Sequence, residues 1–124
     1  MNTRPALIVV ADDDPDIVAL VRAILSKAGF EVAAAFDGVE ALELVRTRRP
    51  QLAVLDVSMP KLDGLAVLQS VRTDPEIGDL PVILLSARAQ EADVRNGYAQ
   101  GASKYVRKPF SPRELVAVVR DLIG

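Results

Sequence analysis

The stretch LIVVADDD at residues 7–14 decides the fold of this chain, because it joins an apolar run to a cluster of acids. Its first five residues are apolar without alternation, which is typical of a parallel strand buried on both faces. Ligands of open α/β sheets bind beyond the carboxyl ends of such strands. Asp12, Asp13 and Asp14 follow directly, so the stretch predicts both a central strand and a polar site.

Three further apolar runs end in a polar residue, and each of these residues is of a different chemical kind. The run at 52–55 leads into Asp56, the run at 82–85 into Ser86, and the segment 105–107 into Lys108. Because the carboxyl ends of parallel strands meet at one edge of a sheet, these side chains are expected to converge. Acids, a hydroxyl and an ammonium in one place can hold a divalent cation and a phosphoryl group.

Helical patterns alternate with the predicted strands. Asp14 with Pro15 is typical of a helix N-terminus, capping boxes begin at Asp37 and Ser111, and Gly29 is expected to follow the end of the first helix. The expected strands cover residues 6–12, 31–35, 51–56, 81–85 and 104–107, and the expected helices include 38–48, 90–100 and one that begins near 64. Five β/α units in strict alternation predict an α/β domain with a parallel sheet covered by helices on both faces.

The composition bounds the class of protein. The chain has 124 residues, half of them apolar, and residues 1–124 are expected to form a single domain without a linker or repeat. Cysteine and histidine are absent from the sequence, which excludes disulfides, thiol catalysis, cysteine-ligated zinc and imidazole chemistry. A net charge of −2 argues against nucleic acid as a direct partner. The first apolar run is too short for a signal peptide or membrane span, so the expected location is the cytoplasm.

Each candidate site residue also has a purely structural explanation. One acid of the cluster at 12–14 is explained as a helix cap, and Asp56, Ser86 and Lys108 could each be ordinary turn residues. Two further carboxylates beside a cap repel each other, which is more natural for a magnesium site. The combination of carboxylates, a hydroxyl and an ammonium at four strand ends favours a functional site over four separate explanations.

Four segments resemble the receiver domains of two-component response regulators, over essentially the whole chain. They are VVADDD at 9–14, LDVSMPKLDG at 55–64, LSA at 85–87 and YVRKPF at 105–110. The chain is similar to the chemotaxis receiver. The resemblance implies a flavodoxin-like, doubly wound (βα)5 fold, with five parallel strands in the order 2-1-3-4-5.

The resemblance assigns a role to the strand-end residues. It implies that Asp56 is the phosphoacceptor, which accepts a phosphoryl group in a Mg²⁺-dependent reaction. Asp12, Asp13 and the backbone carbonyl of Ser58 would join Asp56 in holding Mg²⁺, with Mn²⁺ as an alternative ion. Lys108 would pair with a phosphoryl oxygen as a compact point charge.

The resemblance also implies a switch. Ser86 would donate its hydroxyl to another phosphoryl oxygen, and Tyr105 would rotate into the space that Ser86 vacates. The fourth helix, fifth strand and fifth helix would then form the output face. A surface aromatic on the fifth strand would look the same in sequence, so that alternative stays open for Tyr105. The Lys108–Pro109 peptide bond is expected to be cis by resemblance.

The expected partners follow from the same resemblance and from the missing histidine. The phosphoryl donor must be another molecule: a sensor histidine kinase, a phosphotransfer protein or a small phosphodonor. A downstream effector and a phosphorylation-dependent homodimer are the other expected partners, and no membrane contact is expected. The domain is expected to be no enzyme toward foreign substrates, with self-phosphorylation and autodephosphorylation as its only chemistry.

Other classes of protein fit less well. A phosphatase with an aspartyl-phosphate intermediate would carry a second acid two residues after its nucleophile, where this chain has Ser58. A nucleotide-binding enzyme would need a glycine-rich phosphate loop, and the sequence contains none. A docking module that keeps the fold without being phosphorylated remains as the alternative function.

Overall fold

Five strands alternate with five helices in the computed structural model, which describes residues 5–87 and 90–123. Along the chain these elements are β1 (Leu7–Ala11), α1 (Pro15–Lys27), β2 (Glu31–Ala35), α2 (Gly38–Arg48), β3 (Leu52–Asp56), α3 (Gly64–Thr73), β4 (Val82–Ser86), α4 (Glu91–Ala99), β5 (Lys104–Arg107) and α5 (Pro112–Ile123). All neighbouring strands pair in parallel, in the order β2-β1-β3-β4-β5. The predicted fold class and strand order are confirmed.

The core lies on both faces of the sheet, because successive strand residues point to opposite sides. In β1, Ile8 and Val10 pack in the layer that contains α1 and α5, whereas Val9 and Ala11 pack in the layer that contains α2 and α3. Every residue of β3 and β4 is buried. This two-sided burial explains why the runs at 52–55 and 82–85 are apolar without alternation.

Local capping chemistry sets the helix starts as predicted. The Asp14 carboxylate accepts a hydrogen bond from the backbone N–H of Asp16 at 2.9 Å, and Asp37 accepts from Glu40 N at 2.8 Å. Ser111 Oγ accepts from Glu114 N at 3.0 Å, which begins α5. These side-chain acceptors satisfy backbone donors that the first helical turn leaves without an intrahelical partner.

The boundaries differ from prediction by one residue at several strand and helix ends. β1 ends at Ala11, so Asp12 lies just beyond the strand, and β4 extends to Ser86. α4 covers Glu91–Ala99 and receives no side-chain cap from Gln90. Gly29 follows α1 at a φ of 97°, in the left-handed region that glycine tolerates, as predicted for the residue after a helix end.

The Lys108–Pro109 peptide bond is cis, as the resemblance implied. Within residues 5–87 and 90–123, the helices are too short or too polar to cross a bilayer.

Candidate functional site

Asp12 and Asp56 lie side by side at the carboxyl edge of the sheet. Asp12 directly follows β1, and Asp56 is the last residue of β3. These two strands are neighbours, and Ala11 of β1 pairs in register with Leu55 of β3. Asp12 is only 1% exposed and Asp56 only 6% exposed. Two carboxylates that are both removed from water need a positive partner, because an unpaired buried charge is costly.

Lys108, which directly follows β5 at the same edge of the sheet, supplies that positive charge. Its Nζ lies 2.9 Å from Asp12 Oδ2 and 2.9 Å from Asp56 Oδ1, so one ammonium bridges both carboxylates. The backbone of Lys108 is fixed beside the site, because its N–H donates to the carbonyl of Ser86 at 2.8 Å. The structure therefore brings Asp12, Asp56 and Lys108 together, as the sequence predicted.

Asp13 completes a group of three carboxylates. Oxygen atoms of Asp12, Asp13 and Asp56 all lie within 4.8 Å of one another. Asp13 is exposed, and it lines an open cleft together with Ser58 and neighbouring residues of the loop that follows β3. The cluster contains three carboxylates and one ammonium, so its net charge is negative when all of these groups are ionised. Its carboxylate oxygens are hard donors. That donor set fits Mg²⁺, which prefers carboxylate oxygens and keeps several waters.

The electrostatics of the cluster shift two pKa values. Burial raises the pKa of Asp56, and the nearby charges of Asp12 and Asp13 add to the rise, while the hydrogen bond from Lys108 opposes it. Burial lowers the pKa of Lys108, but its hydrogen bonds to Asp56 and Asp12 outweigh this effect and leave the pKa above its ordinary value. Lys108 therefore stays charged at neutral pH, and Asp56 is a more basic carboxylate than a solvated one.

Glycine at position 64 lets the loop after β3 close over the acceptor. The N–H of Gly64 donates to the carbonyl of Val57 at 2.9 Å. A Cβ atom at position 64 would collide with the carbonyl oxygen of Asp56. Only a residue without a side chain fits so close to the backbone of the acceptor, so Gly64 helps to set the position of Asp56.

Ser86 and Tyr105 lie beyond this acidic group. Ser86 ends β4 and is buried, at the same edge of the sheet as the acids. Tyr105 of β5 pairs in register with Leu84, and its half-buried ring packs against Gly97 of α4. Ser86 thus lies at the predicted edge of the sheet, whereas the ring of Tyr105 lies between β5 and α4.

Two residues with structural roles elsewhere in the fold were missed by sequence reasoning. Arg72 of α3 donates hydrogen bonds to the carbonyls of Gly78, Leu80 and Gly101. The hydroxyl of Tyr98 accepts a hydrogen bond from the backbone N–H of Tyr105. Neither contact has a local sequence signal, because each depends on how a helix packs against loops or a strand elsewhere in the fold.

Comparison with known proteins agrees with this geometry. A family model described as "Response regulator receiver domain" matches residues 8–120. The chain is 46% identical over 123 residues to the "Probable transcriptional regulator ycf27" of Cyanophora paradoxa, which covers 99% of this chain and 50% of that protein. It is 40% identical over 120 residues to the "DNA-binding response regulator MtrA" of Mycolicibacterium smegmatis, covering 97% of this chain and 51% of that protein. The chain spans about half the length of these curated relatives.

Solved structures share the same fold. The receiver domain of the Francisella response regulator 1452 superimposes with a TM-score of 0.90 at 36% identity, covering 95% of this chain and 96% of that one. The chemotaxis response regulator CheY4 of Vibrio cholerae gives a TM-score of 0.89 at 30% identity, covering 95% of this chain and 98% of that one.

Proposed function

This chain belongs to the response regulator receiver domains of two-component systems, and we propose that Asp56 is its phosphoacceptor. The observation that carries the proposal is the position of Asp56: a buried carboxylate with Lys108 Nζ at 2.9 Å and two further acids within ligand distance. An acceptor needs such a setting, because phosphoryl transfer depends chiefly on positioning and on neutralising charge.

The proposed transfer forms one bond and breaks one. An Asp56 carboxylate oxygen attacks the phosphorus of a donor phosphohistidine, and the P–O bond forms as the P–N bond breaks. The imidazole leaves with the electron pair of that bond and takes up a proton from solvent. The raised pKa of Asp56 favours the attack, because a more basic carboxylate is a better nucleophile once it is ionised.

The charged neighbours of Asp56 stabilise the phosphoryl group that it accepts. Lys108 exchanges its contact with the Asp56 carboxylate for one with a phosphoryl oxygen, while its contact with Asp12 holds the ammonium in place. Asp12, Asp13, Asp56 and the carbonyl of Ser58 would hold Mg²⁺, with Mn²⁺ as the alternative ion. When bound, the cation neutralises the charge that develops on the phosphoryl oxygens.

The proposed output is a change in the half of the domain that contains β4, α4 and β5. Ser86 is buried at the end of β4, and β4 is the neighbour of β3, the strand that ends at Asp56. Its hydroxyl would donate to a phosphoryl oxygen, and the ring of Tyr105 would respond by changing rotamer. The new charge on Asp56 is the local event, and the α4–β5–α5 face is the element that it biases.

Partners and location belong to the same proposal. We expect a histidine kinase or a phosphotransfer protein as the donor and an effector protein or domain as the receiver of the signal, with a homodimer of the phosphorylated form. Relatives are named as DNA-binding response regulators, so the proposed effector function is transcriptional control, without nucleic acid contacts by this domain. The cytoplasmic location expected from the sequence stays a prediction.

The test of the acceptor is phosphorylation by a small donor. The chain is incubated with acetyl phosphate and Mg²⁺ and its intact mass is measured; one phosphoryl adduct is expected in the wild type and none in Asp56→Asn. Asp63→Asn is the matched control, because Asp63 caps α3 through Ala66 N at 2.8 Å and asparagine caps a helix equally well. Wild-type protein without an adduct would favour the docking module, and an adduct that survives in Asp56→Asn would place the acceptor elsewhere.

A further inference from the structure

A side chain of α4 contacts the backbone of β5. Among the residues that the structure describes, β5 is the terminal strand of the sheet and pairs only with β4. The backbone N–H of Tyr105 donates to the hydroxyl of Tyr98 of α4 at 3.2 Å.

The residue next to Tyr98 contacts the ring of the same tyrosine. A Cβ atom at Gly97 would lie 2.7 Å from Tyr105 Cδ2, closer than carbon atoms approach, and 3.0 Å from Tyr105 Cε2. The ring therefore lies directly against the helix backbone at Gly97. Two consecutive residues of α4 hold Tyr105 at two points, its backbone N–H and its ring.

The two ends of α4 are anchored differently. At the C-terminal end, the carbonyl of Gly101 accepts hydrogen bonds from Arg72 Nε at 3.0 Å and Arg72 Nη2 at 2.8 Å. At the N-terminal end, Gln90 provides no side-chain cap. The C-terminal part of α4, which contacts Tyr105 through Gly97 and Tyr98, is thus followed by a segment that bonds to Arg72 of α3.

We propose that Tyr98 is a positioning residue for the switch: its hydroxyl, bonded to the Tyr105 N–H beside the Gly97–ring contact, makes α4 and Tyr105 move as one unit. The inference rests on the proposed role of Tyr105 as the switch residue. Without the hydroxyl, α4 and Tyr105 would lose one of these two contacts. A rotation of the Tyr105 ring would then be transmitted to α4 less completely.

The first test measures the contact itself and does not depend on phosphorylation. Tyr98→Phe keeps the ring and removes the acceptor, so the amide hydrogen of Tyr105 should exchange about two- to tenfold faster, the range that corresponds to the loss of one net hydrogen bond. Thr73→Val is the matched control, because it removes a hydroxyl that bonds to the carbonyl of Gln69 at 3.0 Å in a different helix. Equal Tyr105 exchange in Tyr98→Phe and Thr73→Val would overturn the proposal.

The second test measures the coupling. In wild-type protein treated with acetyl phosphate and Mg²⁺, NMR resonances of the Tyr105 ring and of the α4 amides should shift together. In Tyr98→Phe the yield of phosphorylated Asp56 should be unchanged, while the shift of the α4 amides should fall to less than half of its wild-type size. A full α4 response in Tyr98→Phe would also overturn the proposal.

A second variant separates the ring contact from the hydrogen bond. Gly97→Ala should displace the Tyr105 ring and shift its resonances before any phosphorylation, because the added Cβ occupies space that the ring fills. Unshifted ring resonances in that variant would contradict the geometry. If wild-type protein forms no adduct, the acceptor proposal fails, and the exchange measurement still decides whether the Tyr98 hydroxyl holds the Tyr105 N–H.

Discussion

At the scale of single residues, Asp56 shows how a site for chemistry weakens the fold that carries it. Burial raises the pKa of this carboxyl, so the folded chain holds the proton more tightly than the unfolded chain. Stability from this group is fully present below the unfolded pKa and is lost as the pH rises through the higher folded pKa. At neutral pH, the ionised acceptor is therefore a net cost to folding.

Removing this charge should stabilise the protein at neutral pH. We expect Asp56→Asn to unfold at a higher urea concentration than wild type in chelator-treated buffer at pH 7. The advantage should shrink as the pH falls from the raised folded pKa of Asp56 toward the unfolded value, and it should vanish below the latter. Urea unfolding at a series of pH values checks this.

Asp37 provides a control, because its pKa shifts in the opposite direction to that of Asp56. Its hydrogen bond from the backbone of Glu40 lowers the pKa of this half-buried carboxyl, so its charge favours the folded state above the unfolded pKa. Asp37→Asn should therefore give no gain at pH 7. An Asp56→Asn variant that is less stable than wild type at pH 7 would contradict this prediction. It would mean that the pairing of Asp56 with Lys108 stabilises the fold by more than the burial of the charge destabilises it.

At the scale of secondary-structure elements, Arg72 connects three parts of the fold. Its guanidinium donates to the carbonyls of Gly78 and Leu80 before β4 and of Gly101 after α4. Burial lowers the pKa of this group, and its planar fork suits several acceptors at once. α3 thereby fixes the loop that starts β4 and the C-terminal end of α4.

Truncation of this group should be costly. We expect Arg72→Met, which keeps most of the apolar stem, to lower the free energy of unfolding by about 2–4 kcal/mol, because three loop carbonyls lose a charged donor. Arg46→Met is the control, since Arg46 makes an exposed 3.5 Å ion pair with Asp74 that should contribute less than about 1 kcal/mol. Thermal unfolding measures both, and equal losses would refute a special role for Arg72.

The secondary-structure elements also differ in how far the sequence predicts them and their contacts. The strands and the starts of α1, α2 and α5 were predictable, because burial and capping by Asp14, Asp37 and Ser111 are set by neighbours in the chain. The contact between Tyr98 and Tyr105 was not, because it depends on how α4 lies against the edge of the sheet. The acids and Lys108 were predictable as a group, since parallel strands must bring their carboxyl ends to one edge.

At the scale of the whole molecule, the candidate metal site joins parts of the chain that are distant in sequence. Asp12 and Asp13 follow β1, whereas Asp56 ends β3, and their oxygen atoms converge only in the folded sheet. An ion that binds this arrangement has little affinity for the unfolded chain, where the ligands are far apart. Binding should therefore stabilise the entire domain through mass action.

We expect Mg²⁺ to raise the free energy of unfolding of the wild type by about 2.7 kcal/mol at a free concentration of about 100 times its dissociation constant. Asp13→Asn should lose most of this response, because it removes one ligand from an exposed position and leaves the contacts of Lys108 with Asp12 and Asp56 in place. Asp14→Asn is the matched control, since Asp14 caps α1 and asparagine retains that function. Thermal unfolding with Mg²⁺ and after addition of a chelator measures the effect. An equal response to Mg²⁺ in Asp13→Asn and Asp14→Asn would exclude Asp13 as a ligand.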